Sequence, residues 1–124
     1  MKEETVLVVD DEEMIIDVGK ELLGALGYTV LLARSGRKAI EIYKKNKAKI
    51  DMVLLDMIMP EMGGIETCER LKEINSDIKV LLSSGFSIDG QAETILAKGC
   101  DDFIQKPFGM KNLSKKLREI LDTK

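Results

Sequence analysis

Apolar and polar positions follow two different rhythms along the chain. Short, nearly uninterrupted apolar runs occur at Thr5–Val9, Thr29–Ala33, Met52–Leu55, Lys79–Leu82 and Asp102–Gln105. Their length and Val, Ile and Leu content predict strands buried on both faces. Between them lie longer stretches with apolar residues three and four apart, the period of a helix. Ile15, Val18, Leu22 and Leu26 predict a helix over Glu12–Leu26, with Gly27 just past its end. Ser35 reads as the cap of a helix reaching about Asn46, with Ala39, Ile40 and Tyr43 facing inward. Ile65, Cys68 and Leu71 mark a third helix over Ile65–Ile74. A short fourth spans Ala92–Lys98, stopped by Gly99, and a fifth spans Lys111–Leu121, with Leu113, Leu117, Ile120 and Leu121 apolar. The stretches "MIMPEMGG", "SSGFSIDG" and "KPFG" carry the Pro and Gly breakers of loops.

Five strand–helix units with no repeat or linker imply a parallel sheet whose strands are joined by right-handed helical crossovers. The predicted architecture is an open three-layer α/β fold, one domain over residues 1–124. In such sheets, function gathers at the carboxyl ends of the strands.

Composition narrows the chemistry. The chain has 124 residues, 33% of them charged, and a net charge of −3, which gives no basic footprint for direct nucleic-acid binding. Histidine is absent, so the usual general base and the commonest zinc ligand are missing. Cys68 and Cys100 lack metal-ligand spacing and read as small core residues rather than a disulfide framework. No apolar run approaches the ~20 residues of a membrane span, and "MKEETVLVV" has no signal-peptide character; the expected location is the cytoplasm.

The strand ends carry the candidate chemistry. Asp10 and Asp11 close the first strand, Asp56 the third, Ser84 follows the fourth and Lys106 the fifth. A parallel sheet brings all of these to one edge. Three carboxylates within ~4–6 Å repel one another. A divalent cation offsets that repulsion, and an all-oxygen donor set without His or Cys favours Mg²⁺. Carboxylate, hydroxyl, ammonium and metal together suit phosphoryl transfer, where catalysis is mostly positioning and charge neutralisation. Each residue also has a plainer reading. Asp10 with Glu13 forms a possible capping box, Asp56 is a turn aspartate, Ser84 is a loop serine and Lys106 a solvated lysine. Agreement among four strand ends favours the site.

Those residues lie in "VLVVDDE", "MVLLDMIMPEMGG", "VLLSSG" and "DDFIQKPF", and with these motifs the whole chain resembles the receiver domains of two-component response regulators. The resemblance implies a flavodoxin-like, doubly wound fold with strand order 2-1-3-4-5 and five helices. It implies that Asp56 is the phosphoacceptor, taking a phosphoryl group from a histidine kinase, a histidine phosphotransfer domain or a small donor such as acetyl phosphate. Asp11 would be a direct Mg²⁺ ligand, Asp10 would hold metal-bound water, and Asp56 and the backbone carbonyl of Ile58 would complete the site. Lys106 would pair with Asp56, Ser84 would be the switch hydroxyl, and Phe103 the ring that turns inward when Ser84 moves. Gly85 would leave access to the site, and the Lys106–Pro107 bond resembles one often cis in the family. The surface of the fourth helix, fifth strand and fifth helix would then change for a downstream protein or output domain, or for a phosphorylation-dependent dimer. Such a protein is a signalling module in a phosphorelay and not an enzyme, since it catalyses only its own phosphorylation and dephosphorylation.

Phe103 lacks the hydroxyl of the tyrosine that many receivers carry. Ile58 and Phe86 are apolar where family members influence water access, so slow autodephosphorylation is expected. Lys44, Lys45, Lys47 and Lys49 suit a helix C-terminus, and Met57, Met59 and Met62 suggest an adaptable docking surface, some of them packing inside. Competing readings are a receiver-like interaction domain independent of phosphorylation, an aspartate-nucleophile phosphatase and a flavodoxin-like cofactor binder. The intact Asp11, Asp56, Ser84 and Lys106 set opposes the first. The apolar Ile58 opposes the second, and the acidic "DDEE" loop the third.

Overall fold

The computed structural model describes residues 4–85, 100–106 and 108–122. The predicted helix at Ala92–Lys98, with Gly99, Phe86 and the Lys106–Pro107 bond, lies outside the described residues. Five parallel strands form one sheet in the order β2-β1-β3-β4-β5. They are β1 (Thr5–Val9), β2 (Thr29–Ala33), β3 (Ile50–Asp56), β4 (Lys79–Ser84) and β5 (Asp102–Gln105). The flavodoxin-like fold class and the strand order are those expected. The described helices are α1 (Glu13–Ala25), α2 (Gly36–Asn46), α3 (Gly64–Ile74) and a C-terminal helix (Met110–Leu121).

Successive residues of a strand point to opposite faces, and both faces are covered. On one side Leu7, Val9, Val53, Leu55, Val80 and Leu82 pack with Ala39 and Tyr43 of α2 and Cys68 and Leu71 of α3. On the other, Val6, Val8, Met52, Leu54, Leu81 and Ile104 meet α1 and the C-terminal helix. This double coverage is why the strands read as continuous apolar runs. The Tyr43 ring is fully buried, and its hydroxyl accepts a bond from Asn75 Nδ2 at 2.9 Å, so its one polar atom is satisfied.

Helix ends follow local chemistry. Ser35 Oγ accepts from Lys38 N at 3.1 Å as the α2 cap. After α1, Gly27 takes φ +95°, and the bonds Tyr28 N to Leu23 O and Gly27 N to Gly24 O complete a Schellman motif. Lys44, Lys45, Lys47 and Lys49 are all exposed around the C-terminal end of α2. The buried face of α1 differs from the expected one. It is Ile16, Gly19 and Leu23, while Val18 is exposed. The true stripe contains a glycine, which an apolar count does not register; Gly19 is buried facing Val8, where an added methyl would make an ordinary 3.5 Å contact. Among the described residues no helix is long and apolar enough to cross a membrane.

Candidate functional site

The carboxyl ends of the strands assemble the site. Asp10 follows β1, and its backbone N–H donates to Ala33 O at 3.1 Å, fixing it beside the end of β2. Asp56 is the last residue of β3 and lies opposite Ser83 of β4. Ser84 ends β4, paired with Gln105 of β5, and its carbonyl accepts from Lys106 N at 2.7 Å. Backbone pairing alone therefore delivers Asp10, Asp56, Ser84 and Lys106 to one edge. Asp11 joins them: carboxylate oxygens of Asp10, Asp11 and Asp56 lie within 4.8 Å of one another.

Lys106 is the cation in this group. Its Nζ lies 2.7 Å from Asp10 Oδ2 and 3.2 Å from Asp56 Oδ1. The sequence pairs it with Asp56; the structure places it between two acids, nearer to Asp10, because both carboxylates are buried and both need a counter-charge. Burial pulls the Lys106 ammonium down, but its bonds and charge attraction to Asp10 and Asp56 outweigh that and hold its pKa above the ordinary lysine value. Asp56 behaves in the opposite way. Burial, reinforced by the negative charge of Asp10 and only partly relieved by Lys106, pushes its carboxyl up to about 6. Its Oδ1 also accepts a long bond, 3.4 Å, from Ile58 N.

Among the described residues, three acids against one ammonium leave two negative charges uncompensated within a few ångströms. The donors are all oxygen, two buried and one exposed at the rim, which fits a hard divalent cation that keeps part of its water shell. Asp10 makes a further contact, accepting from Glu12 N at 2.9 Å through Oδ1. The capping box of the plainer reading is not formed. Glu12 is the N-cap of α1 with no side-chain cap bond, and Glu13 reaches Arg34 at 3.0 Å.

The loop after β3 is held from several sides. Met57 N donates to Ser83 O and Gly64 N to Met57 O, each at 2.8 Å. A methyl on Gly64 would stand 2.3 Å from Asp56 O and 2.7 Å from Met57 Cα, so this glycine lets the first turn of α3 press against the Asp56 backbone. A methyl on Gly36 would meet Thr67 Oγ1 at 2.2 Å, and Thr67 Oγ1 in turn donates to Gly63 O at 2.8 Å. Gly64, Gly36 and Thr67 thus fix the turn that follows Asp56, a packing role that breaker residues do not reveal in sequence. The signal available was the paired glycine at a helix start directly after the Asp56 loop. Glu61 takes φ +67°, a left-handed conformation costly for a side chain and concentrated at functional loops.

The remaining candidates lie around this centre. Ile58 is 56% exposed at the rim, two residues after Asp56. Met59 is buried, and Met57 and Met62 are half-buried, so the three methionines mainly fill the loop rather than form an open docking surface. Phe103 sits half-buried on β5, packed on the core, with Lys116 Nζ 5.8 Å from its ring centroid. Among the described residues, none beyond its chain neighbours lies within 4 Å of a methyl added at Gly85.

Comparison with known proteins identifies the family and the fold. Residues 6–118 match the response regulator receiver domain family. The chain is 36% identical to Sensor kinase CckA of Brucella abortus over 118 residues, covering 95% of this chain and 12% of that protein. It is also 36% identical to the transcriptional regulatory protein YvrH of Bacillus subtilis over 119 residues, covering 95% of this chain and 49% of that one. The chain thus spans half or less of these curated relatives. A solved chain in a CheX–CheY–BeF3–Mg²⁺ complex from Borrelia burgdorferi superposes with a TM-score of 0.92 at 26% identity, covering 98% of this chain and 90% of that one.

Proposed function

The chain belongs to the response regulator receiver domain family, and from that premise we propose that residues 1–124 form one receiver domain of a two-component or phosphorelay system, with Asp56 as its phosphoacceptor. The observation that carries this reading is the buried Asp56 carboxylate, held between Lys106 and the acids Asp10 and Asp11 at the sheet edge. An Asp56 oxygen attacks the phosphorus of a phosphohistidine on a histidine kinase or phosphotransfer domain, or of acetyl phosphate. The new P–O bond forms as the P–N bond, or the P–O bond to acetate, breaks, and the product is an acyl phosphate on Asp56. Lys106 is positioned to pair with an oxygen of the arriving phosphoryl group. The Asp10, Asp11 and Asp56 side chains, with the carbonyl of Ile58, would hold Mg²⁺, which supplies charge neutralisation at the phosphoryl oxygens. The magnesium and beryllofluoride, a phosphoryl mimic, in the Borrelia burgdorferi complex support this assignment by analogy.

Phosphorylation adds about −1.5 to −2 of charge and three acceptor oxygens. Ser84 moves to bond one of them, Phe103 turns into the space it leaves, and the surface around β5 and the C-terminal helix changes for a partner or output domain. Such a module works in the cytoplasm, opposite a sensor kinase, and turns over only its own phosphoryl group. Intact mass after incubation with acetyl phosphate and Mg²⁺ tests the reading. One added phosphoryl mass on the native protein and none on Asp56→Asn is expected. An unchanged mass, or equal labelling of the variant, overturns it.

A further inference from the structure

The phosphoacceptor site leaves unused a pair of buried nucleophiles on the α3 side of the sheet. Cys68, on α3, and Cys100, just before β5, are 32 residues apart in sequence, yet their Sγ atoms lie 3.1 Å apart with no atom between them. Both are free thiols and both are buried. The contact is one of two adjacent rungs. One helical turn beyond Cys68, Lys72 Nζ lies 3.1 Å from Asp101 Oδ2, next to Cys100. Asp101 is fixed in turn, because its Oδ2 accepts from Val80 N at 2.7 Å and its own N–H donates to Val80 O at 3.0 Å. The two sulfurs are therefore held face to face by the salt bridge and by backbone bonds to β4. They are not merely adjacent in a loose core.

We propose that Cys68 and Cys100 are a peroxide-sensitive dithiol, a reversible redox modification site that closes to a disulfide between α3 and the segment leading into β5. A disulfide needs the sulfurs to approach to about 2.05 Å, roughly 1 Å closer than they stand. The placement of Lys72, one turn from Cys68 on the same helix, separates the two sulfurs into roles. The Cys100 thiol donates to Cys68 Sγ. That bond lowers the Cys68 pKa, burial opposes it, and the Lys72 ammonium assists, while the same bond together with burial raises Cys100. Cys68 is the attacking sulfur and Cys100 the resolving one. The Cys68 thiolate attacks one oxygen of hydrogen peroxide and the O–O bond breaks. The departing hydroxide takes up the proton that Cys68 had released and leaves as water, so Cys68 is now a sulfenic acid. Cys100 sulfur then displaces the hydroxyl. The S–S bond forms, the S–O bond breaks, and the Cys100 proton leaves with the hydroxyl as the second water. Two thiols lose two electrons and the peroxide gains them.

Burial restricts the reaction to a small uncharged oxidant, which excludes glutathione disulfide. The bond would join α3, whose first residue presses on the Asp56 backbone, to the start of the strand that carries Phe103. The chemistry is independent of phosphorylation and is tested without it. The native full chain is treated with hydrogen peroxide, quenched in acid, alkylated in denaturant and digested. A Cys68–Cys100 linked peptide within one chain, two hydrogens lighter than the separate peptides and released by dithiothreitol, is expected, with none after glutathione disulfide. Cys100→Ser, treated with peroxide and then unfolded in the presence of dimedone, should carry a trapped sulfenic acid on Cys68, and Cys68→Ser should carry none on Cys100. Full alkylation of both cysteines after peroxide, a link found only between chains, or trapping on Cys100 in place of Cys68 overturns the proposal.

Discussion

Asp56 sits where a carboxylate is least comfortable, buried beside another acid, and this sets its behaviour. Its folded pKa of about 6 lies above the ordinary carboxylate value of 3.8, so between those pH values the folded chain binds more protons than the unfolded one. Stability contributed by this group is present at low pH and is lost as pH rises through about 6. Asp56→Asn removes the charge and is expected to stabilise metal-free protein by on the order of 2 kcal/mol above pH 7, with the gain vanishing towards pH 4. Urea unfolding of both forms across that range checks it; a constant difference contradicts it. Ile58, exposed and apolar at the rim, cannot orient a water for attack on an acyl phosphate. Ile58→Asn is expected to shorten the phosphorylated lifetime several-fold, measured as loss of the phosphoryl mass with time. The convergence of Asp10, Asp11, Asp56, Ser84 and Lys106 on one edge was legible in the sequence because they stand at strand ends, and a parallel sheet aligns strand ends. The closer partnership of Lys106 with Asp10 was not, because the distances among side chains on neighbouring loops are not encoded in spacing.

At the scale of elements, periodicity located every described strand and helix to within a few residues. β3 and β4 extend beyond their apolar cores because backbone pairing continues through Asp56 and Ser84. The face of α1 was misread because Gly19 packs without being apolar, and packing depends on shape as well as hydrophobicity. Gly64 shows the same limit at the site itself. It reads as a breaker, yet its missing side chain admits α3 against Asp56. Gly64→Ala forces that contact apart and is expected to cost about 1–3 kcal/mol and to slow labelling by acetyl phosphate. Chemical denaturation and time-resolved intact mass check both parts, and labelling at the native rate would show that the contact does not position the acceptor. Gly63→Ala, whose added methyl would make only an ordinary 3.4 Å contact with Met57 O, serves as the matched control.

For the whole molecule, one sheet with two apolar faces supports a charged edge that the fold alone leaves unbalanced. Three acids and one lysine converge there, so binding of Mg²⁺ should stabilise the folded state by mass action, about 2.7 kcal/mol at a hundred times its dissociation constant. Thermal denaturation is expected to rise with Mg²⁺ for the native chain and much less for Asp11→Asn, whose side chain is exposed and carries little packing. An equal rise in both would place the ion elsewhere. The same edge joins β1, β3, β4 and β5 through Asp10, Asp56, Ser84 and Lys106, so a single anionic group added there touches most of the sheet. The measurement that tests this most directly is a crystal structure of the protein with Mg²⁺ and beryllofluoride. The account predicts beryllium bonded to an Asp56 oxygen, the ion among Asp10, Asp11 and Asp56, and Lys106 Nζ on a fluoride. Density for neither group at that edge, with Lys106 directed into solvent, would contradict it.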